Sequence, residues 1–474
     1  MENDRNIPLL CDYYEYTMSN GYVKNGLQDR VVYFDIYFRN VPDKGGLCIF
    51  AGLEQLVDYI LNLRFTESDI EFLRSKNTFS EDFLQYLKDF RFTGDVWAIP
   101  EGTPVFPGEP LVTIRAPIAQ AQILETFALL TINHQTLIAT KASRIVRAAN
   151  GRVVLEFGSR RAQGTDAAIL GARAAYIAGC GGTACTVSDK WYGIPASGTM
   201  AHSWVMMFDS EYEAFVKFCE LYPDNATLLV DTYDTINSGI PHAIKAFKAT
   251  GITKCAIRLD SGDFSFLTKK ARKMLDDAGF PQCKIIVSNA LDENLIKDLL
   301  DQGAVIDGFG VGDNLITSHS DPVLNGVFKL VAMEENGEII PRIKISENVE
   351  KITTPHFKKI YRIYDSEGMA VADLICGHDE TVDQSKPLEL FDPSATWKRK
   401  TMTDYTAKEL MVKVIENGEL VYDLPSIDEI REHCSKELDT LWEEVKRFAN
   451  PHQYYVDLSQ KLWDIKNDLI NGSR

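Results

Sequence analysis

The sequence predicts an α/β fold in which an irregular, TIM-like barrel is joined to a second, β-rich α+β domain. One observation is a pattern repeated between residues 151 and 317, where short runs of Val, Ile and Leu end and polar or glycine-rich clusters follow at once. Such strands, alternating with helical segments, are typical of parallel sheets and barrels. A second observation is the length of 474 residues, which indicates two or three structural units. An open doubly wound sheet is the alternative on periodicity alone.

Residues 1–125 predict a β-rich N-terminal domain. Residues 9–23 have helical spacing, and residues 31–42 alternate like a strand that ends at a proline. Helical segments follow between residues 53 and 90. Residues 94–116 carry four prolines among β-forming residues, which indicates short strands and tight turns rather than part of the alternating array.

The barrel is predicted over residues 126–325 and contains the candidate active site. It begins with a long apolar helical segment after Pro117. Its strands are predicted at residues 153–157, 226–230, 255–259, 284–288 and 305–309, with weaker candidates at 183–187 and 194–199. Because the carboxyl ends of parallel strands meet on one face, the polar clusters that follow these strands are expected to converge.

The pattern changes again after the barrel. The segment that begins at residue 326 predicts a hairpin turning at Glu335, Asn336 and Gly337, and residues 326–400 are expected to complete the N-terminal domain. Residues 401–474 predict a helical C-terminal segment, which includes a charged amphipathic helix.

Composition excludes several classes of function. A net charge of −18 argues against nucleic acid or an anionic membrane as a partner, because both select a basic surface. The nine cysteines are scattered without CxxC pairs, which predicts reduced thiols and no zinc site. The first residues do not resemble a secretory signal, and no window reaches transmembrane length, so a cytoplasmic protein is expected.

The segment RLDSGD (residues 258–263) is the sharpest local signal. Arg258 and Asp260 flank Leu259 at a strand end, so both side chains point the same way. A guanidinium suits a phosphate or carboxylate, and a carboxylate suits a ribose diol. The simpler alternative is that Asp260 or Ser261 caps the next helix, but this leaves Arg258 unexplained and a functional site is favoured.

Two further strand ends suggest a phosphate and a flat ring. GFGVGDN (308–314) places Gly310 and Gly312 where backbone amides can approach a phosphate, although the carboxylate of Asp313 would repel it. In EFGSRR (156–161), Phe157 can stack on a flat ligand while Arg160 or its neighbour Arg161 holds an anion. The alternative, which the motif alone leaves equally open, makes Phe157 part of the core and the arginines solvated.

Two other motifs carry ionisable groups. In SGTMAHSW, His202 could be an acid, a base, a nucleophile or a structural group, and for a lone histidine the structural role is favoured. In LVDTYDT, Asp231 and Asp234 can bind Mg²⁺ or a hydroxyl, and Asp234 is equally placed to cap a helix. The glycine-rich GCGGTAC lacks the GK[ST] ending of a Walker site, which is therefore rejected.

Taken together and in order, EFGSRR, SGTMAHS, LVDTYDT, RLDSGD and GFGVG resemble the nicotinate phosphoribosyltransferase family, and the resemblance runs from LLCDYYEYTM to IKISENVEKITTP. It implies an irregular α/β barrel with a β-rich domain, and a homodimer with shared sites. It also implies that nicotinate and 5-phosphoribosyl 1-pyrophosphate give nicotinate mononucleotide and pyrophosphate in NAD salvage. Mg²⁺ and ATP are implied as cofactor and co-substrate.

The resemblance also implies residue roles. Tyr14 of the partner subunit and Phe157 would stack on the pyridine ring, and Arg258 and Thr199 would hold its carboxylate. His202 would be phosphorylated by ATP. The implied phosphoribosyl pyrophosphate site comprises Arg160 at the pyrophosphate, Asp231, Asp260 and Ser261 at the ribose, where either aspartate could bind the metal, and Gly310, Gly312 and Asp313 at the 5′-phosphate.

Three departures from the family pattern are visible. Cys11 and Asp313 stand where relatives usually have threonine. Near Thr183 and Ala184 the sequence lacks the carboxylate with which the related nicotinamide enzyme accepts an amide, which predicts a preference for the acid.

Two rival functions stay open at this point. Quinolinate phosphoribosyltransferase would need more basic residues for a second carboxylate, and His202 in its context argues against it. A non-catalytic sugar-phosphate-binding barrel is the alternative from a different class.

Overall fold

The computed structural model describes residues 6–348 and 351–472. The chain forms two compact units, one comprising Ile138–Pro322 and the other combining Met1–Leu137 with Val323–Arg474. The first is called the barrel unit and the second the β-rich unit. The boundary falls inside the helix Glu125–Ala148 rather than before it, and the segment predicted to complete the N-terminal domain belongs to the same unit as that domain.

The β-rich unit combines helices with strands that pair antiparallel, except that β15 pairs with β21 in parallel. Its helices are α1 (Tyr13–Lys24), α2 (Leu53–Asn62), α3 (Glu67–Ser75), α4 (Glu81–Lys88), α5 (Ile118–Gln122), the first half of α6 (Glu125–Ala148), α15 (Ile427–Asp439) and α16 (Gln460–Gly472). Its strands are β1 (Val31–Phe38), β2 (Cys48–Ile49), β3 (Asp95–Ala98), β4 (Pro104–Val105), β5 (Val112–Pro117), β12 (Gly326–Glu335), β13 (Glu338–Pro341), β14 (Lys358–Tyr364), β15 (Ala370–Gly377), β16 (Leu388–Phe391), β17 (Arg399–Met402), β18 (Thr406–Glu409), β19 (Val412–Glu416), β20 (Glu419–Leu420) and β21 (Tyr455–Leu458).

The barrel unit alternates strand and helix. Its strands are β6 (Val153–Glu156), β7 (Gly182–Thr183), β8 (Ala226–Leu229), β9 (Cys255–Leu259), β10 (Lys284–Asn289) and β11 (Gly308–Val311). Its helices are the rest of α6, α7 (Thr165–Ile177), α8 (Thr186–Tyr192), α9 (His202–Met206), α10 (Glu211–Leu221), α11 (Ile240–Thr250), α12 (Phe264–Asp277), α13 (Glu293–Asp301) and α14 (Asp313–Ile316).

The six strands of the barrel unit form one parallel sheet in the order β7-β6-β11-β10-β9-β8. The last strand along the chain pairs with the first, and the others follow in sequence, which is the neighbour relation of a barrel rather than of a doubly wound sheet. The ring is interrupted between β7 and β8, so the sheet is a curled half barrel. The α/β fold class predicted from the sequence is confirmed.

The two weakest strand predictions, residues 183–187 and 194–199, fall between the end of β7 and the start of β8 and were mostly wrong. Of residues 183–187 only Thr183 lies in a strand, β7, and α8 begins at Thr186; residues 194–199 contribute only a single bridge between Thr183 and Ala196. The segment GTACTVSDKWYG carries helix-forming spacing from Thr186 onwards, with Gly193 in the left-handed region at φ 72° ending the helix. The segment that contains Thr199 and His202 is thus connected to the sheet by a single bridge.

The strand predicted at residues 305–309 begins three residues later, at Gly308. Asp307 lies before it, where its backbone amide and carboxylate pair with the backbone of Ile285 at 2.8 Å. A Cβ at Gly308 would lie 3.0 Å from Ile286, so glycine permits close packing inside the sheet. Gly308 and Gly310 therefore belong to the strand, and only Gly312 follows it.

The β-rich unit is built on a sheet of seven strands in the order β13-β12-β1-β5-β3-β19-β20 and one of four strands in the order β18-β14-β15-β21. The predicted hairpin is confirmed, because β12 and β13 pair around Asn336 and Gly337, whose φ angles are 53° and 83°. Residues 401–474 contain strands as well as the helices α15 and α16. The Asn417-Gly418 turn, with φ 50° and 80°, joins β19 to β20 and is a hairpin signal that the helical prediction missed.

A buried ionic network lies inside the β-rich unit. Arg362 is 0% exposed and donates to both oxygens of Asp373, at 2.9 and 2.7 Å. Its other contacts are the carbonyl of Pro104 at 2.8 Å and the carboxylate of Glu437 at 3.4 Å, while the Tyr454 hydroxyl donates to Asp373 at 3.0 Å. All three nitrogens of this guanidinium therefore have hydrogen-bond partners inside the protein.

The described residues contain neither a membrane-spanning helix nor a disulfide. None of the helices within residues 6–348 and 351–472 combines the length and apolarity needed to cross a bilayer. All nine cysteines are described, none is in a disulfide and eight are buried, as the prediction of reduced thiols requires.

Candidate active site

Two aspartates meet at the carboxyl ends of β8 and β9. The Asp231 carboxylate accepts from the backbone amide of Asp260 at 2.9 Å and from the Ser261 hydroxyl at 2.6 Å. The Asp260 carboxylate accepts from the Ser288 hydroxyl of β10 at 2.5 Å, and Asn289 donates to its carbonyl at 2.8 Å. Three predicted residues thus lie together, and Ser288 and Asn289 join them although the sequence assigned them no role.

The helix-capping role considered for Asp260 and for Asp234 holds for Asp234 only. The cap of α12 is Asp263, whose carboxylate accepts from the amide of Phe266 at 2.8 Å. Asp260 and Ser261 are therefore free of that task. Asp234, in contrast, does cap its helical turn, because its carboxylate accepts from the amides of Ile236 and Asn237 at 3.1 and 2.8 Å.

Arg258 supplies a partly desolvated cation beside these carboxylates. Its Nη1 donates to the Thr199 hydroxyl, and its buried Nε has no hydrogen-bond partner in the described protein. Burial lowers the pKa of Arg258, while Asp260 and Asp231 act in the opposite direction. A buried guanidinium with an unused N–H is an acceptor-seeking group, which suits an anionic ligand.

Phe157 is held by tight packing against β11. Its backbone amide donates to the carbonyl of Val311 at 2.7 Å. A Cβ at Gly310 would lie 2.6 Å from the Cδ2 atom of the Phe157 ring, so the ring rests directly on the glycine. The sequence analysis assigned Gly310 to a phosphate loop. The structure instead places it inside the ladder of β11 as the support of the ring, which leaves Gly312 and Asp313 as the residues after the strand.

Glu156 is a buried carboxylate at the end of β6 that was not among the residues predicted for the site. It is 0% exposed, and its carboxylate accepts from the Thr183 hydroxyl at 2.6 Å and from the backbone amide of Gly158. Burial raises its pKa, and these hydrogen bonds oppose the shift. A carboxylate therefore lies beside Thr183 in space, but both of its oxygens are already engaged within the protein, so the predicted preference for the acid over the amide stays a prediction. The available signal was a charged residue at the end of the apolar run VVLEF.

His202 begins α9 and faces the end of β8. Its Nδ1 lies 3.1 Å from the hydroxyl of Thr232, the residue after Asp231. Which atom donates depends on the tautomer of the ring. The histidine is half-buried, so the structure brings it to the strand ends that carry the aspartates.

The remaining predicted residues lie in less enclosed places. Arg160 and Arg161 form an exposed 3-10 turn after β6, and Arg160 is near enough to lower the pKa of Arg258, although burial lowers it most. Asp313 is half-buried at the start of α14. Tyr14 lies on α1 of the β-rich unit, where 44% of the residue is exposed.

A magnesium ion would find two carboxylates here but no complete cage. Asp231 has one buried carboxylate oxygen without a hydrogen-bond partner among the described residues. Within the same residues no group of three or more His, Cys, Asp or Glu side chains could hold a metal. Mg²⁺ is commonly bound by one or two carboxylates together with substrate phosphates, and Asp231 and Asp260 fit that arrangement.

Comparisons with known proteins identify the family of this chain. The family described as nicotinate phosphoribosyltransferase (NAPRTase) family matches residues 153–386, and its N-terminal and C-terminal domains match residues 9–133 and 357–466. The nicotinate phosphoribosyltransferase of Bacillus subtilis (strain 168) is 44% identical over 471 residues, which cover 99% of this chain and 96% of that protein. The chain belongs to the nicotinate phosphoribosyltransferase family.

Other members of the nicotinate phosphoribosyltransferase family match along the whole chain. The protein of that name from Dictyostelium discoideum is 34% identical over 522 residues, covering 98% of this chain and 88% of that protein. The crystal structure of human nicotinic acid phosphoribosyltransferase matches with a TM-score of 0.85 at 27% identity, covering 97% of this chain and 99% of that chain. The resemblance predicted from the ordered motifs is confirmed.

The contact between Phe157 and Gly310 predicts the effect of one methyl group on this nicotinate phosphoribosyltransferase family member. Gly310→Ala is expected to displace the ring, cost about 1–3 kcal/mol through overpacking and raise the KM for the aromatic substrate about tenfold. Steady-state kinetics and thermal unfolding measure the two effects. Gly21→Ala is the control, because a Cβ there would meet no described atom within 4 Å. Unchanged kinetics in Gly310→Ala would show that the ring position does not matter.

Proposed function

We propose that this protein joins nicotinate to 5-phosphoribosyl 1-pyrophosphate, giving nicotinate mononucleotide and pyrophosphate in NAD salvage. The observation that carries the proposal is the buried Nε of Arg258, which lacks a partner while Nη1 is fixed by Thr199. Such a fork can hold the carboxylate of nicotinate. Membership of the family supports the same substrate.

The reaction needs charge and position rather than a proton acceptor. The pyridine nitrogen of nicotinate already has a free lone pair, so it can displace pyrophosphate at ribose C1 without a general base. The transition state has cationic character at the ribose and an anionic leaving group, and preorganised charges of the opposite sign stabilise each. Asp231 and Asp260 supply the negative charge near the ribose, and Arg160 supplies positive charge near the pyrophosphate.

The Phe157 ring and the Arg258 guanidinium would together fix the orientation of nicotinate. With its carboxylate on Arg258 and Thr199, and its ring against Phe157, nicotinate would direct its nitrogen away from the guanidinium. Gly312 and Asp313, which follow β11, are placed to receive the 5′-phosphate through backbone amides. Mg²⁺ held by Asp231 or Asp260 together with substrate oxygens would neutralise charge on the leaving pyrophosphate.

We infer that His202 is phosphorylated by ATP and that hydrolysis of this phosphohistidine is coupled to nucleotide formation. When Nδ1 carries the proton and donates to Thr232, the lone pair of Nε2 is available to accept a phosphoryl group. The added charge and oxygens would then lie next to the strand end that carries Asp231. Proximity of the imidazole to Thr232, at 3.1 Å, supports this role.

The shared homodimer is also a proposal. In the β-rich unit, Tyr13 and Tyr14 of α1 are 50% and 44% exposed, and exposed aromatic rings of this kind are common where a partner covers the surface. Tyr14 of the partner subunit would then complete the stack on the pyridine ring. Sedimentation velocity would measure the mass, and a stable monomer would exclude the shared site.

One assay tests the substrate, the class of protein and the coupling. Nicotinate, nicotinamide and quinolinate are compared as acceptors with 5-phosphoribosyl 1-pyrophosphate, with and without ATP. Nicotinate is expected to be preferred and ATP to stimulate turnover. Preference for quinolinate, with release of CO₂, would favour the quinolinate enzyme, and absence of turnover would favour the non-catalytic binder.

His202→Ala is expected to abolish stimulation by ATP, because the nitrogen that accepts the phosphoryl group is lost. The measurement is the ratio of turnover with and without ATP, together with acid-labile phosphate retained on protein after incubation with labelled ATP. His242→Ala is the matched control, since His242 pairs instead with Glu211 at 3.3 Å on α10. Persistent ATP stimulation in His202→Ala would reject the phosphohistidine.

A further inference from the structure

A second cavity lies in the β-rich unit. It has a volume of about 530 Å³ and is lined by strands β15, β16, β17 and β21 and by residues near Trp442 and His452. Volumes of about 300–1,000 Å³ are typical of small-molecule sites. Every lining residue belongs to this unit and none is among the proposed active-site residues.

The carboxylate of Asp457, on β21, is a buried polar group that lines this cavity. Asp457 is 4% exposed, and no described residue donates a hydrogen bond to its side chain or forms an ion pair with it. Burial, and then the nearby carboxylate of Asp392, raise the pKa of Asp457 to about 6. Because no side chain within the described part of the protein pairs with this carboxylate and it lines the cavity, a hydrogen-bond donor on a ligand can bind to it.

The walls of the cavity present aromatic surfaces. The rings of Trp442 and His452 are 6.1 Å apart, and those of His452 and Tyr455 are 5.7 Å apart and nearly perpendicular. Phe391 is also part of the lining, and the Arg399 guanidinium lies 5.0 Å from the centroid of its ring. Aromatic walls of this kind favour a planar ring system.

Three consecutive cations, Lys398, Arg399 and Lys400, line the same cavity in a chain whose net charge is −18. Lys398 lies 3.6 Å from Asp392, and Arg399 pairs with Glu389. Lys400 is exposed and has no ion pair among the described residues. The lining can therefore accept a hydrogen bond at Asp457, pack against a flat ring at its aromatic walls and bind an anion at Lys398–Lys400.

We propose that this cavity is a second ligand site, which binds a nucleotide with an aminated base. The base lies against the aromatic walls and its exocyclic amine donates to Asp457, while the phosphate contacts the cations at Lys398–Lys400. Adenosine 5′-monophosphate has all three features. The proposal does not depend on the function proposed for the barrel unit, because the two sets of residues are separate.

Inosine 5′-monophosphate is the discriminating probe, because it replaces the exocyclic amine with a carbonyl and otherwise keeps the shape. Calorimetric titration of the full chain is expected to show that adenosine 5′-monophosphate binds about ten- to a hundredfold more tightly than inosine 5′-monophosphate, since a hydrogen bond to a charged group is lost. Asp457→Asn should remove or invert this preference, because an asparagine amide can donate to the carbonyl. This variant is nearly isosteric and relieves repulsion from Asp392, so it is expected to fold.

Charge provides the second arm. Lys400→Glu is expected to weaken binding of adenosine 5′-monophosphate at least about tenfold, as loss and reversal of a phosphate contact requires. Lys386→Glu is the matched control, because Lys386 belongs to the same unit and its side chain is 74% exposed. No binding by wild type would overturn the proposal. So would binding that is unchanged in Asp457→Asn and Lys400→Glu, because the nucleotide would then lie elsewhere.

Discussion

Arg258→Met is expected to lower kcat/KM for nicotinate by about a hundred- to a thousandfold. Removing one partner of a buried, hydrogen-bonded charge pair typically costs about 2–5 kcal/mol, because the other charge is left without a partner. Methionine keeps much of the volume of the side chain but none of its donors. The Thr199 hydroxyl also loses the guanidinium that fixes it.

Nicotinamide serves as the internal control for Arg258→Met. The neutral amide does not require a cation, so its kcat/KM should fall much less, and the ratio between the two substrates should collapse. Arg258→Lys keeps the charge but loses the planar fork and is expected to lie between wild type and Arg258→Met. An equal loss for both substrates would assign Arg258 to the fold or to the phosphoribosyl group instead of to the carboxylate.

Arg362→Leu is expected to destabilise the β-rich unit by about 3–5 kcal/mol, the usual cost of breaking a buried ion pair by removing one partner. The substitution leaves the Asp373 carboxylate, which is 0% exposed, without its bidentate partner. Guanidinium denaturation followed by tryptophan fluorescence measures the shift of the unfolding midpoint.

Two variants separate the ionic network from a general effect of mutation. Arg362→Leu combined with Asp373→Leu should recover part of the loss, because the Asp373 carboxylate is then removed together with its bidentate partner. Arg74→Met should change the midpoint little, since its ion pair with Glu81 is exposed, with 45% and 71% of the two side chains accessible. A midpoint in Arg362→Leu equal to that of wild type would mean that water reaches the carboxylates.

The sequence predicted the barrel unit well because its signals are local. Apolar runs such as CAIRL and KIIVS became β9 and β10 at nearly the predicted bounds. The glycine-rich strand β11 begins later than predicted because Asp307, in the middle of the predicted run, pairs with the backbone of Ile285 instead of joining the strand. A tertiary contact decided that boundary, and no local pattern records it.

The candidate site was predicted in part for the same reason. Arg258 and Asp260 share one strand end, so alternation alone places them together. Which aspartate caps α12 was decided by backbone geometry: Asp263 does so, and this releases Asp260. Glu156 escaped notice because its partner Thr183 is distant in sequence.

The cavity around Asp457 was beyond prediction from the sequence. Its lining comes from segments near residues 371, 391, 399, 442 and 457, and none of them has a motif of its own. Only the fold of the β-rich unit brings them together. Some strands of this unit were also missed, because residues 401–474, which contain the Asn417-Gly418 turn, were predicted to be helical.

Because the ring of strands is interrupted between β7 and β8, the sheet restrains some of the candidate site residues more than others. Phe157, Arg258 and Asp260 stand at the carboxyl ends of β6 and β9, which each have a neighbouring strand on both sides, so the sheet restrains their relative positions. Thr199 and His202 stand on backbone that almost no ladder bonds restrain. If His202 carries the phosphoryl group proposed above, its imidazole would thus have room to adjust, while the residues proposed to hold the flat substrate keep fixed positions.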